Sequence, residues 1–208
     1  MILTKKAREK AIKQLKRIEK LTDGSMLLAA DWREPWKVLI STMLSAQTKD
    51  ETTIRVSHLL YNKYPTLKKL ANADINDIMK IIKPVNFYKT KAKHILKTAK
   101  IIVEKYNSKV PKEFDKLLEL PGVGRKTANV FLAVSGKPAI GVDTHVSYIS
   151  RLLGWTKENN PHKIEQDLKE LFPQKYWILV NYALVRFGRT FKTRKKQEEV
   201  LRNERIIK

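Results

Sequence analysis

Leu118-Glu119-Leu120-Pro121-Gly122-Val123-Gly124-Arg125-Lys126-Thr127-Ala128-Asn129-Val130 is followed, after a short apolar stretch, by Gly141-Val142-Asp143-Thr144-His145. A helical pattern opens near Pro111 and runs through Leu117, Leu118 and Leu120. Pro121 stops it, because proline lacks the amide a continuing helix must donate. Gly122 and Gly124 allow backbone angles that a side chain forbids, so the chain can reverse around Val123. Ala128, Val130, Phe131 and Val134 then recur at helical spacing, with Gly136 near the end. The stretch reads as helix, hairpin, helix over about 113–135.

A second helix opening at such a turn points its unpaired amides at it, and bare glycines admit a ligand to the backbone. That combination favours an anion. Alone, a Gly-Xaa-Gly turn reads equally well as a close-packed corner. Lys126 at the mouth of the second helix feels a positive field that disfavours its ammonium form, which suits a nucleophilic amine. It can also be a plain phosphate clamp. Asp143 follows seventeen positions later and, with Thr144, opens a pattern through Val146, Ile149, Leu152 and Leu153. Either residue makes a good N-cap. Asp143 can also stay ionised beside a reacting centre and stabilise positive charge there. His145 reads as a packing or supporting residue.

The run Leu120 to Val130, followed by Val142-Asp143-Thr144-His145, resembles the endonuclease III family of DNA glycosylases, within the helix-hairpin-helix superfamily. Leu44-Ser45-Ala46-Gln47-Thr48-Lys49-Asp50 and Phe87-Tyr88-Lys89-Thr90-Lys91-Ala92 extend the similarity. It covers the chain from about residue 30 to about residue 190 in one order. The resemblance implies an all-α fold of two helical lobes. One is a six-helix lobe over 27–136 that carries the helix-hairpin-helix motif. The other is built from 1–26 plus 137–208. A cleft between them would have Lys126 on one wall and Asp143 on the other.

The resemblance also implies a base-excision repair enzyme. It would remove a damaged base, an oxidised pyrimidine by family habit, and cut the abasic site by β-elimination through a Schiff base. Lys126 and Asp143 would be its catalytic residues. Gly122, Val123, Gly124, Arg125 and Thr127 would contact the DNA backbone. The carbonyls of Leu118, Leu120 and Val123 would hold a monovalent cation at the DNA phosphate. Rotating a base out of a duplex costs a few kcal/mol, and something must fill the gap. Gln47 matches the residue that plugs it, and Phe87 matches an apolar wedge. Read structurally, Gln47 is a helix-end cap and Phe87 a core aromatic. Asn86 stands where relatives often have glycine, which implies a different loop backbone. Two alternatives remain. One is a same-fold glycosylase for 8-oxoguanine or mismatched bases. The other is a non-catalytic DNA-binding module, against which the Lys126–Asp143 pair argues.

One departure from the family is large. Most members close the C-terminal region with four cysteines around an iron–sulfur cluster, and this chain has no cysteine. A thiolate-held cluster is excluded, as are disulfides. No cofactor is expected beyond the hairpin cation. The region after Phe191 must be held by packing and charge alone, or be shorter and looser than in relatives. Forty-three Lys and Arg against twenty-one Asp and Glu give a formal charge of +22 over 208 residues, which favours a polyanionic partner. The expected partner is double-stranded DNA containing damaged bases or abasic sites. No signal peptide or bilayer-length apolar run is visible. A cytoplasmic monomer at the chromosomal DNA, with no membrane role, is the expectation.

The rest of the chain reads as helix. The spacing predicts helices over 4–21, from Pro35, from a capping box at Thr48–Glu51, over Ile75–Ile82 behind Asp74, and over 89–106. Further helices are predicted from Asn160–Pro161 and from about Gln174 to a stop at Gly188.

Overall fold

The computed structural model describes residues 4–22, 24, 25 and 28–207. Residues 1–3, 23, 26, 27 and 208, which the sequence reading assigns to the two lobes, lie outside the described residues. The elements are α1 (Lys5–Lys20), α2 (Pro35–Ser45), α3 (Asp50–Lys63), α4 (Leu67–Ala71), α5 (Ile75–Ile82), α6 (Tyr88–Lys105), α7 (Phe114–Leu118), α8 (Arg125–Val134), α9 (Thr144–Leu152), α10 (Pro161–Leu171), a 3-10 turn (Gln174–Tyr176), α11 (Trp177–Thr190) and α12 (Arg194–Asn203). Among the described residues there is no strand. The protein is all-α. The chain divides into two compact units, Leu27–Ser135 and Met1–Met26 with Gly136–Lys208.

In the unit Leu27–Ser135, α2 is the centre. Every residue from Val38 to Leu44 is buried. A helix without a polar face must be covered on several sides, and α3, α6 and α8 all pack on α2. Ser41 within it is satisfied by Ser57 at 3.0 Å and Tyr61 at 2.6 Å. Pro35 opens α2, where its missing amide is no loss. Asp74 caps α5 by accepting the Asn76 amide at 2.7 Å. α6 buries Ala92, Ile95, Ala99 and Ile102 and packs against α4, α5 and α2.

The capping box at Thr48 does not form. Lys49 is the N-cap of α3 and makes no side-chain cap bond. The Thr48 hydroxyl is used elsewhere, accepting from the Asn86 amide at 3.3 Å and from Lys91 Nζ at 3.3 Å. Thr66 caps α4, a helix too short for its apolar spacing to announce it.

In the other unit, α11 carries α1 and α9 on its surface. Leu15, Ile18, Ile149, Leu168, Leu184 and Phe187 are fully buried there. α11 does not stop at Gly188 but continues to Thr190. Gly188 is instead a clearance: a Cβ on it would collide with the His145 imidazole.

The charged tail folds as α12. Thr193 caps it by accepting the Lys196 amide at 3.2 Å. Gln197 is buried and its Nε2 donates to the carbonyls of Gly188 at 3.1 Å and Phe191 at 2.7 Å. It thereby satisfies the end of α11, whose last carbonyls have no helical partner. Leu201 and Ile206 enter the core. The Ile206 carbonyl accepts from Gln14 Nε2 at 2.8 Å, while Gln14 Oε1 accepts from Trp155 Nε1 at 2.9 Å. Packing and amide bonds hold the region.

Candidate functional site

The hairpin between α7 and α8 is built by sequence and by a neighbour. The Glu119 amide closes α7 onto Asp115 and Leu117. Val123 is buried and its amide donates to the Leu120 carbonyl at 3.0 Å. Thr98 on α6 donates its hydroxyl to the Pro121 carbonyl at 2.9 Å. Gly122 has φ +77°, and a Cβ there would lie 2.7 Å from His94 Nδ1. It must be glycine twice over, for backbone and for space.

Gly124 is different, and corrects the expectation that both glycines serve the turn. Its φ of −91° and ψ of 175° are ordinary extended backbone. Nothing lies within 4 Å of where its Cβ would be. The fold does not need glycine at this position. Bare backbone beside open space is what a close-approaching ligand needs.

α8 then starts with Arg125, Lys126 and Thr127 and has no acidic residue in its first turn. Two cationic side chains therefore stand at the positive end of its dipole. Arg125 is exposed, with its guanidinium 5.0 Å from the Phe114 ring centre. Lys126 is half-buried and Thr127 is buried. Leu118 ends α7 and is exposed, while Leu120 and Val123 follow it in the turn and are buried. The Leu120 carbonyl already accepts the Val123 amide, which leaves its second lone pair. Neutral backbone carbonyls are the kind of oxygen donor that a hard cation takes.

Gln47 and Phe87 lie in the same unit as the hairpin. Both are exposed, Phe87 by 63%. Phe87 is therefore no core aromatic. Both hold the left-handed backbone, with φ of 55° and 58°. Asn86 Nδ2 donates to the Gln47 carbonyl, linking the two loops. Phe87 occupies the N-cap of α6 without a capping bond. The same helix carries Lys91, His94 and Thr98 at helical spacing, so α6 supports the loops and the hairpin together.

Asp143 belongs to the other unit. It caps α9, its Oδ1 accepting the Val146 amide at 2.8 Å, and it is half-buried. Ala139 to Val142 before it are buried. Asn181 on α11 pairs with Gly141 there, its Nδ2 donating to the carbonyl at 2.9 Å. The supporting residues Lys91, His94, Thr98 and Asn181 were not singled out from sequence. Among the described residues no group of three or more His, Asp or Glu could hold a metal ion. No described helix is long and apolar enough to cross a membrane.

Residues 40–174 match the HhH-GPD superfamily of base excision DNA repair proteins. The chain is 46% identical over 157 residues to endonuclease III of Thermotoga maritima, covering 75% of this chain and 74% of that one. It is 38% identical over 184 residues to endonuclease III of Synechocystis sp., covering 88% and 84%. Its fold is similar to that of a trapped endonuclease III–DNA covalent intermediate in an estranged-adenine complex. The TM-score is 0.82 at 32% identity, over 89% of this chain and 88% of the other.

Proposed function

The chain belongs to the HhH-GPD superfamily of base excision DNA repair proteins and, within it, to the endonuclease III family, and from that premise we propose how its residues divide the work. It is a DNA glycosylase and abasic-site lyase, and its partner is DNA carrying damaged bases. The observation that carries the assignment of roles is the hairpin, where Gly124 leaves open backbone beside a helix start bearing Arg125 and Lys126.

In this reading the amides around Gly122 and Gly124 hold a DNA phosphate, with Arg125 and Thr127 beside it. A monovalent cation held by the carbonyls of Leu118, Leu120 and Val123 would supply positive charge toward that phosphate. No other cofactor takes part, and with no cysteine there is no thiolate-held cluster. The base is extruded from the duplex before it is removed. Gln47 fills the place the base vacates, and Phe87 wedges the stack.

The Asp143 carboxylate stabilises the positive charge that develops on the sugar as the base leaves. Neutral Lys126 attacks C1′, the glycosidic bond breaks, and the base departs with its electron pair and takes up a proton. The sugar ring opens to a protonated Schiff base. Loss of a C2′ proton expels the 3′ phosphate, which cuts the strand, and water then releases Lys126. The substrates we assign are oxidised pyrimidines, and the protein acts in the cytoplasm at the chromosomal DNA.

Borohydride trapping on a panel of lesion duplexes tests the reading. Reduction should fix a covalent adduct on oxidised-pyrimidine and abasic substrates. Lys126→Gln should abolish the adduct while DNA binding persists. An undiminished adduct in that variant would move the nucleophile to another amine. Stronger trapping on 8-oxoguanine would reassign the substrate.

A further inference from the structure

We propose that Lys91 is a positioning residue that locks the Gln47 loop to the Phe87 loop, so that plug and wedge enter the duplex as one rigid part. The inference rests on the roles given above to Gln47 and Phe87. Lys91 is 9% exposed. Its Nζ donates to the carbonyls of Leu44 at 2.7 Å and Ala46 at 2.6 Å, and to the Thr48 hydroxyl at 3.3 Å. Ala46 and Thr48 are the two neighbours of Gln47. The Lys91 backbone amide donates to the Phe87 carbonyl at 2.9 Å. One residue thus grips the chain on both sides of the plug and holds the wedge through its backbone.

Asn86 closes the arrangement from outside. Its side chain donates to the Gln47 carbonyl and its amide to the Thr48 hydroxyl. The need for such bracing is visible in the backbone, since Gln47 and Phe87 both hold positive φ. Residues other than glycine persist there only where the surroundings over-determine them.

Capping α2 is the plainer role for Lys91, since an ammonium complements the carbonyl end of a helix. That role alone does not account for burying a charge. Burial pulls the Lys91 ammonium down to about 8, and an exposed cation would cap α2 without this penalty. Only a long side chain with three donors reaches Leu44, Ala46 and Thr48 at once.

The test compares two reactions of the whole protein. One is single-turnover excision of thymine glycol from a duplex, which needs a base to be extruded. The other is cleavage at a preformed abasic site in a single-stranded oligonucleotide, where no stack must be opened. Lys91→Met keeps the stem and removes the donors. Asn86→Ala removes an exposed amide and leaves the core untouched. The ratio of duplex to single-strand rate should fall roughly ten- to a hundredfold for Lys91→Met, the scale on which small misplacements act. Asn86→Ala should lower it about threefold or more by the same reasoning. Equal changes on both substrates, or none, would overturn the proposal. If Lys91→Met does not melt cooperatively, Asn86→Ala decides by the same criterion. Gln47→Ala runs alongside. A lowered ratio for Gln47→Ala with unchanged ratios for the other two removes the positioning role alone. An unchanged ratio for Gln47→Ala removes the plug role and the proposal with it.

Discussion

The side-chain amide of Asn181 pairs with both backbone groups of Gly141, donating to its carbonyl at 2.9 Å and accepting its amide at 2.5 Å. A neighbouring strand would give an extended segment the same two bonds. Gly141 stands two residues before Asp143, so this pair fixes where α9 begins and where the carboxylate sits. Asn181→Ala would leave a buried amide and a buried carbonyl without these partners, at a cost of about 1–3 kcal/mol for such a group. The melting temperature should drop. Excision by the folded fraction should fall more than its DNA affinity, as single-turnover kinetics and binding titrations will read.

Asp143 caps α9, and two substitutions separate that task from the chemical one in the proposed function. Asparagine caps helices about as well as aspartate, while alanine costs roughly 1 kcal/mol. Asp143→Asn should therefore keep stability and lose base excision by about a hundredfold or more, the loss expected when an electrostatic stabiliser is removed. Asp143→Ala should lose both. Full turnover in folded Asp143→Asn would reduce Asp143 to a cap.

The two hairpin glycines should answer mutation in opposite ways. Gly122→Ala meets positive φ and the His94 imidazole, and should destabilise the protein by about 1–2 kcal/mol or more. Gly124→Val meets neither. Its melting temperature should hardly move, while affinity falls by a similar factor for plain duplex and for an abasic-site analogue. The salt dependence of binding should become shallower by about one phosphate contact. A variant that keeps plain-duplex affinity and loses lesion preference would mean that the hairpin reads the lesion.

Lys91 predicts a pH dependence of stability. Burial lowers its ammonium from 10.5 to about 8. Below about 8 both folded and unfolded chains hold the proton, and the burial penalty is fully present. Between about 8 and 10.5 the folded chain releases its proton first, so the unfolded state binds more protons and stability rises with pH. The melting temperature of the parent minus that of Lys91→Met should climb across this window. A flat difference would show that the amine titrates alike in both states.

Gln197 predicts how the C-terminal region fails. Gln197→Ala deprives the Gly188 and Phe191 carbonyls of their donor, a loss of about 1–3 kcal/mol. Limited proteolysis should then cut around α12 before the rest of the protein. The purified parent should contain no stoichiometric iron, and chelators should leave its melting temperature unchanged. One iron atom per chain or more would overturn this account of the region.

Long apolar stripes are legible without coordinates. Ala92, Ile95, Ala99 and Ile102 define α6, and Pro121 with Gly122 marks the turn. α4 is not legible, because five residues hold too little of a period. Gly122 and Gly124 look alike in sequence and differ in φ, a property the surrounding chain imposes. Lys91, His94 and Thr98 read as the solvent face of an amphipathic helix, and only tertiary contacts reveal what they support. The charged composition of α12 hides the two residues that anchor it, Gln197 and Leu201. Gly188 reads as a helix stop because the space it leaves for His145 comes from a residue far away in the chain.

Gln47 and Phe87 have one more consequence. A side chain in the left-handed region costs about 1–2 kcal/mol over glycine, and this protein carries that cost at two exposed tips. Selection or engineering for thermostability alone would find glycine at both positions among its easiest gains. Those gains would come from the two residues that the proposed function assigns to the duplex as plug and wedge. On those proposed roles stability and repair rate are set against each other at these two residues, and a library sorted by melting temperature should drift toward stable, slow enzymes unless positions 47 and 87 are held fixed.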